Sequence, residues 1–382
     1  MRLKKRAWLI AAVFLMAVLA ASLYGQMKRA NAKVSITIPV QFTPSYRQDR
    51  QNAISVEIPE VYELLHIVTA LSEAEDQAPA FTNRQTPYYQ DVISHFSKYQ
   101  DHPAVSRIKT ANEKLGYSNV RNLFIYGFRE DQIVAGGTCA SDYINERYGT
   151  LFLKELQDFA KASGFRQFYK EHGALYRQHA ALVRAMPVQR MWNWLERQFP
   201  QHYDSYKIIL SPLTGGSHNT FHYEDTNNDF DEIVLFVSSP AILSMEKYPS
   251  GPVREGLVSQ MLFTEIDHNY VNPMSNRYIH LVTGAFKDLL KWKDKPGYDR
   301  AALTFNEYMT WGTFLLYAHD AYDTDSFKQI EQATVDTMNR RGFRLFGRFH
   351  KSLWELYEGR EAGETVADLY PDILKWCAEA GA

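Results

Sequence analysis

Two neighbouring stretches decide the fold: Glu232–Ser238 reads EIVLFVS, and residues 252–270 read PVREGLVSQMLFTEIDHNY. The first is a short apolar run between polar turns, which is typical of a buried strand. The second repeats apolar residues every three or four positions, which predicts a helix. Another strand is predicted just before them, at Tyr206–Leu210. We therefore expect a small sheet in the middle of the chain, packed against a helix that ends before Asn272-Pro273.

Outside this centre, helical spacing dominates the chain. Apolar residues predict further helices after Pro59 and at 151–199, 278–293, 301–320, 326–358 and 366–379. The fold class is therefore predicted to be α+β, helix-rich with a small mixed sheet. We divide the chain into a β-like segment at 26–57 and one domain at 58–382. Within that domain, 58–200 is mainly helical, 201–325 is the core, and 326–382 supplies C-terminal helices.

Residues 1–25 have the order of a secretory signal peptide. Four positive charges within residues 2–6 precede an uncharged apolar stretch, and small residues follow at positions 20–25. We predict a secreted or periplasmic protein, with an uncleaved N-terminal anchor as the alternative. Removing this segment takes away four positive charges and no negative one, so the formal net charge moves from −2 to −6. An acidic chain without a basic run disfavours nucleic acid and anionic membranes as partners.

The chain contains two cysteines, Cys139 and Cys377. An exported protein folds in an oxidising compartment, where such a pair can form a disulfide. The sequence is equally compatible with one disulfide and with two buried free thiols.

Two predicted helices carry an acidic residue on an apolar stripe. The stripe of the first helix includes Glu265 and His268, and Glu307 interrupts the stripe of the second, at 301–320. A carboxylate removed from water needs a cation or hydrogen-bond donors. The simplest explanation is a cation shared by the two helices.

A zinc peptidase of the gluzincin type has this layout. One helix carries His-Glu-x-x-His, in which two histidines bind zinc and the glutamate is the general base, and a second helix supplies a third ligand. The corresponding pentad is Thr264-Glu265-Ile266-Asp267-His268, so Thr264 stands where the first histidine belongs. In this interpretation His268 and Glu307 bind the metal and Glu265 is the catalytic base. Asp267 or Asn272 would orient His268.

Several segments also resemble a secreted bacterial family known as a domain of unknown function with zincin-like metallopeptidase character. The resemblance rests, in chain order, on Ile58-Pro59-Glu60-Val61-Tyr62-Glu63-Leu64, Phe168-Tyr169 with His172 and Tyr176, Gly215-Gly216, Glu265 with His268-Asn269-Tyr270-Val271-Asn272-Pro273, and Glu307-Tyr308. It implies a zincin-like domain with an active-site helix, a bound zinc, and a peptide or protein substrate. Thr264 departs from the family pattern.

The segment 214–222 follows the glycine pair and precedes the strand at Glu232–Ser238. In zincins the strand beside the active helix accepts an extended substrate by strand addition. We therefore interpret 214–222 as the edge of a substrate cleft, with Gly216 and His218 contacting substrate and Tyr308 joining them by the resemblance. A structural turn with surface histidines is the alternative.

Three ways of completing the metal site remain open. Glu265 could itself be a ligand, the site could be free of metal, or another histidine could complete it; the candidates are His172, His218, His222 and His280. The preferred function is an exported metal-dependent hydrolase acting on peptide bonds. The alternatives are an inactive peptidase-like binding protein, which Thr264 favours, and a glycan-active enzyme using Glu265 and Glu307 as paired carboxylates.

Overall fold

The structure is a computed structural model that describes residues 37–73, 81–136, 139–239 and 251–381. The predicted signal segment and the part of the β-like segment before Thr37 lie outside these ranges. The chain divides into two compact units. The sheet unit comprises the described residues of 37–270 together with 317–330, and the helical unit comprises 271–316 and 331–381. The protein is α+β and helix-rich, with a mixed sheet, as its sequence predicts.

Eight strands are described, all in the sheet unit. They are β1 (Thr37–Phe42), β2 (Ala53–Glu57), β3 (Tyr126–Arg129), β4 (Gln132–Ala135), β5 (Cys139–Ala140), β6 (Ser205–Ser211), β7 (Asn219–Asp225) and β8 (Asp231–Ser238). Six of them form one sheet in the order β2-β6-β8-β7-β1-β5, and β3 and β4 form a separate hairpin. Strands β2, β6 and β8 run parallel, whereas β7 is antiparallel to β8.

Burial explains which strands lie in the middle. Every residue of β6 is buried, and so is every residue of β8 after Asp231. Continuous apolar runs of this kind belong to parallel strands that are covered on both faces. Strand β1 alternates instead, with Ile38, Val40 and Phe42 buried and the residues between them exposed. The strands predicted at Tyr206–Leu210 and Glu232–Ser238 are therefore confirmed.

Helices surround the sheet within its unit. They are α1 (Pro44–Arg50), α2 (Glu60–Ser72), α3 (Pro87–Phe96), α4 (Pro103–Leu115), α5 (Tyr117–Val120), α6 (Asp142–Ile144), α7 (Thr150–Ser163), α8 (Phe165–Glu171), α9 (Gly173–Arg184) and α10 (Val188–Gln198). Helix α2 is buried on all sides, from Val61 to Leu71. Its polar residues therefore need partners inside the protein.

The helix that contains the pentad is α11 (Pro252–Arg277), which is longer than predicted. We expected it to end before Pro273, because proline lacks the N–H that bonds the carbonyl four residues earlier. That carbonyl belongs to Asn269, and it accepts a hydrogen bond of 2.7 Å from the hydroxyl of Tyr203 instead. The side chain of Tyr203 thus replaces the missing backbone donor, which the local sequence does not reveal.

The remaining helices are α12 (Ile279–Ala285), α13 (Leu289–Trp292), α14 (Ala301–Ala321), α15 (Thr324–Arg340), α16 (Phe346–Gly359) and α17 (Tyr370–Ala380). The single helix predicted at 278–293 is therefore two short helices. Aromatic rings fill the helical unit around Tyr308, which contacts Trp292, Phe343 and Phe349. In α14, Gly312 lets α16 approach closely, since a Cβ atom there would lie 2.8 Å from Leu353.

The two cysteines are buried and free, Cys139 in the sheet unit and Cys377 in the helical unit. Burial raises the pKa of each thiol well above its usual value. None of the helices in the described ranges combines the length and apolar character needed to cross a membrane.

Candidate functional site

The predicted pentad lies in the part of α11 that belongs to the sheet unit. Thr264 is buried, and its hydroxyl donates a 3.1 Å hydrogen bond to the carbonyl of Met261. Glu265 and His268 are half-buried. The threonine hydroxyl therefore uses its proton within its own helix, as is common for threonine inside helices.

The most deeply buried face of α11 differs from the predicted stripe. Phe263, Ile266, Asp267 and Tyr270 are fully buried, so Asp267 rather than Glu265 is the completely buried acid of this helix. Asn269 joins this face to the sheet, because its amide donates to the hydroxyl of Thr220 at 2.9 Å. The spacing of apolar residues predicts a helix here. The face that it predicts to be buried is shifted by about one residue from the face that is buried in the structure.

Glu307 is held by a guanidinium in the helical unit. Its carboxylate is 2.6 Å from Nη2 of Arg341, and its side chain is only 7% exposed. The same guanidinium group binds the hydroxyl of Tyr298 at 2.9 Å and lies over the ring of Trp311. The cation that a buried acid requires is therefore, for Glu307, an arginine from 34 residues further along the chain.

Two other predicted site residues lie next to Glu307 in sequence or in space. The side-chain oxygen of Asn272 accepts a 2.6 Å hydrogen bond from the amide of Asn306, and both residues are buried. Tyr308 has no exposed surface, and its hydroxyl donates to the carbonyl of Trp292 and accepts from the N–H of Leu345. Tyr308 is thus a core residue of the helical unit, with no hydroxyl proton left for a substrate in this structure.

Two parts of the segment predicted as a cleft edge are covered by other backbone. Residues 213–215 bond the backbone of 81–83, and β1 pairs with β7 from His222 onward. The expectation of an open edge is therefore wrong at 214–215 and at His222. Gly216 lies between them and is exposed, and a Cβ atom there would meet no heavy atom within 4 Å.

His218 is mostly buried, and its Nδ1 accepts a hydrogen bond from the backbone N–H of Ser238 at 3.2 Å. Burial, together with the nearby charge of Arg121, lowers the pKa of His218 to about 4. The imidazole is therefore neutral at pH 7.

The other histidines considered as ligands have local partners or lie at the surface. His222 is 3.1 Å from Asp231, and His172 is bound to the carbonyl of Phe168. His280 is exposed in the helical unit. Across the described ranges, no group of three or more His, Cys, Asp or Glu side chains is arranged to hold a metal ion.

These donors do not fit the zinc site of a gluzincin. Catalytic zinc needs three protein ligands, usually imidazole or carboxylate. Thr264 offers a hydroxyl already bound to Met261, and Glu307 is already neutralised by Arg341. His268 is the one imidazole of the predicted ligand set, which is fewer ligands than catalytic zinc needs. We therefore derive no reaction step through zinc.

A buried polar cluster that the sequence did not predict lies at the carboxyl ends of the parallel strands, where Glu63 also contacts Ser211 at the end of β6. Glu63, on α2, accepts a 2.8 Å hydrogen bond from Tyr88, whose hydroxyl is 2.6 Å from that of Tyr176. Burial raises the pKa of Glu63 to about 7. Ligands of α/β sheets commonly bind at this end of parallel strands. The visible signal was Glu63 within an apolar helical run, followed much later by the Tyr176 segment.

A serine–histidine pair lies at the end of β8 in the same unit. Nδ1 of His179 is 2.7 Å from the hydroxyl of Ser239, which also donates weakly to the carbonyl of Ser211. Both partners are buried, and burial lowers the pKa of His179. His179 is therefore a hydrogen-bonded internal residue.

No family model, curated protein or solved structure matches the chain. The resemblance to a zincin-like family therefore rests on the quoted sequence segments alone.

Proposed function

We propose that the chain is an exported binding protein on a peptidase-like scaffold, which holds an extended polypeptide without hydrolysing it. The observation that carries this proposal is the ion pair of Glu307 with Arg341, at 2.6 Å. A zinc ion bound by the same carboxylate would lie beside a guanidinium charge, and the two cations would repel each other. Thr264 supports the same conclusion, because the first histidine of the metal motif is missing.

The ligand class follows from the cleft that such a scaffold retains. Gly216 is exposed, lies outside the described strand pairs, and has open space where a side chain would be. A bare backbone of this kind suits main-chain hydrogen bonds to an extended polypeptide. Sequence specificity would then come from side chains around the segment 216–218, including the neutral imidazole of His218.

The proposal is tested with an unfolded polypeptide, casein, as the probe. We expect the mature protein to bind casein and to leave its intact mass unchanged over a day. Gly216→Val should weaken binding, because its side chain fills the open space without disturbing the fold. The matched control is Gly284→Val, at an equally open position in the helical unit, and it should bind as the wild type does.

Elemental analysis of protein purified without chelator separates the binding protein from the hydrolase. We expect far less than one zinc per chain in the wild type and in His268→Ala. Near-stoichiometric zinc that His268→Ala removes, together with casein cleavage that Glu265→Gln abolishes, would overturn the proposal and establish the hydrolase. Equal casein binding by the wild type and Gly216→Val would remove the assignment of the cleft.

A further inference from the structure

The sheet unit contains a cavity of about 700 Å³ that no part of the proposed function uses. It is formed by the end of α9, the first two turns of α11 and the connection between α14 and α15. Its volume lies within the range of roughly 300 to 1,000 Å³ that is usual for small-molecule sites. The chemistry of its lining indicates what it would bind.

One part of the lining is apolar. Leu182, Met186 and Val258 line the cavity, and each is only half-buried. The exposed part of these side chains lines the cavity. A ligand with an apolar body would therefore bury this apolar surface, which is favourable.

Three of the four charged groups in the lining already have partners within the protein. Arg190 binds Glu255 at 2.6 Å and also donates to the hydroxyls of Tyr317 and Tyr322. Asp323 accepts from the backbone N–H groups of 325 and 326 and from the hydroxyl of Ser326, which places it as the cap of α15. These contacts occupy Arg190, Glu255 and Asp323 without a ligand.

Arg254 is the fourth charged group, and it differs from the others. It lines the cavity and is half-buried, and within the described ranges it has no hydrogen-bond or ion-pair partner. Ser259, five residues further along α11, also lines the cavity, but it is fully buried and presents no hydroxyl surface to a ligand. Arg254 is therefore the charged group of the lining that is left for a ligand.

We propose that this cavity binds an amphipathic carboxylate, an apolar chain that ends in a carboxyl group. The carboxylate binds Arg254 and the apolar body packs on Leu182, Met186 and Val258. Two sources share this chemistry: a free medium-chain carboxylic acid and the C-terminal leucine of a peptide.

Titration calorimetry on the full mature chain tests the proposal with four probes. These are decanoate, its neutral partner decanol, the peptide Ala-Ala-Leu with a free carboxyl group, and the same peptide amidated. We expect one carboxylate probe to bind and its neutral partner to bind at least tenfold more weakly. Decanoate binding identifies a free acid as the source, and binding of the free peptide alone identifies a peptide C-terminus.

Variants then assign the binding to this cavity. Arg254→Gln should weaken the carboxylate probe by about 10- to 100-fold, the usual range for a charge-assisted hydrogen bond. It should leave the neutral probe unchanged. The matched control is Arg177→Gln, an exposed arginine of α9 that does not line the cavity. Absence of binding by both carboxylates at millimolar concentration, or equal affinity in Arg254→Gln and Arg177→Gln, would overturn the proposal.

Discussion

The two units each bury a glutamate, and they neutralise it in different ways. In the sheet unit, Glu63 has a tyrosine hydroxyl as its donor at 2.8 Å, and burial raises its pKa to about 7. In the helical unit, Glu307 lies 2.6 Å from the guanidinium of Arg341. Glu63 is thus neutralised by binding a proton near neutral pH, whereas Glu307 is paired with a guanidinium group.

This difference shows that an acid on an apolar helix stripe does not by itself identify a metal site. Such a pattern requires neutralisation, and a proton, an arginine and a metal ion all satisfy that requirement. For Glu307 the sequence suggested a metal, whereas the helical unit supplies Arg341 from the end of α15. Glu63 is neutralised by a proton, and its protonation cannot be predicted from neighbouring residues in the sequence.

The largest expected effect comes from removing the cation beside Glu307. Arg341→Met leaves a buried carboxylate without its charge partner, and breaking such pairs costs about 3–5 kcal/mol. We expect the free energy of unfolding in urea to fall by about 3 kcal/mol, since Arg341 is partly exposed. The double variant Arg341→Met/Glu307→Gln should recover most of that loss.

The matched control for this experiment is Arg340→Met, which removes the exposed arginine that precedes Arg341 in the chain. It should change the unfolding free energy by less than about 0.5 kcal/mol. Equal losses in Arg340→Met and Arg341→Met, or no recovery in the double variant, would show that Glu307 does not depend on Arg341.

Protonation of Glu63 should make the free energy of unfolding depend on pH. The pKa of Glu63 is about 7 in the folded chain and 4.5 ordinarily. The folded state therefore binds the extra proton between these values, and its stability falls as the pH rises from 4.5 through 7. Replacement by glutamine removes this dependence, so Glu63→Gln should gain on the order of 3 kcal/mol relative to the wild type between pH 4.5 and pH 8.

Urea unfolding at pH 4.5, 6 and 8 measures this difference. The control is Glu60→Gln, one turn earlier on the same helix, where the carboxylate is partly exposed and paired with Arg166. A constant difference between Glu63→Gln and the wild type across the three pH values would mean that Glu63 does not change protonation there.

The fold was largely predictable because its signals are local. The apolar runs at Tyr206–Leu210 and Glu232–Ser238 are buried strands, as their composition predicts. Pro273 misled the prediction, because the donor that compensates for it is Tyr203, about 70 residues earlier in the chain. The helix end therefore depended on a contact that spacing does not encode.

The candidate site was less predictable for the same reason. The apolar spacing around the pentad predicted the helix. The pentad itself showed that Thr264 departs from the metal motif. Nothing near Glu307 in sequence indicated Arg341, which contacts it from another helix end. The chain of hydroxyls from Glu63 to Tyr176 likewise joins residues more than 100 positions apart.

A third buried glutamate, Glu232 in the sheet unit, lies between the two cases. Glu232 accepts from the hydroxyl of Tyr46 at 2.9 Å and from that of Ser205 at 2.9 Å, with the charge of Lys207 nearby. Burial raises its pKa, and these three groups oppose the rise. Loss of a donor to an ionised group costs more than loss of a donor to a neutral one. The cost of Tyr46→Phe, on the order of 1–2 kcal/mol, should therefore be larger at pH 8 than at pH 5.

Tyr203→Phe is the control for that experiment, because its hydroxyl donates to a backbone carbonyl that does not titrate. Its cost should be the same at both pH values. If the cost of Tyr46→Phe is also independent of pH, Glu232 keeps one protonation state throughout that range.

The smallest expected effect concerns the partly exposed ion pair of Glu60 with Arg166, which has the same charges as the pair of Glu307 with Arg341 and a distance of 2.9 Å. Water and salt screen it, so Glu60→Gln should cost about 0.5 kcal/mol at low salt and nothing measurable in 1 M NaCl. The cost of Arg341→Met should persist in 1 M NaCl, because the carboxylate of Glu307 is shielded from ions. Were both costs to vanish together, Glu307 would be solvated like Glu60, and the reason for excluding a metal at Glu307 would disappear with the buried pair.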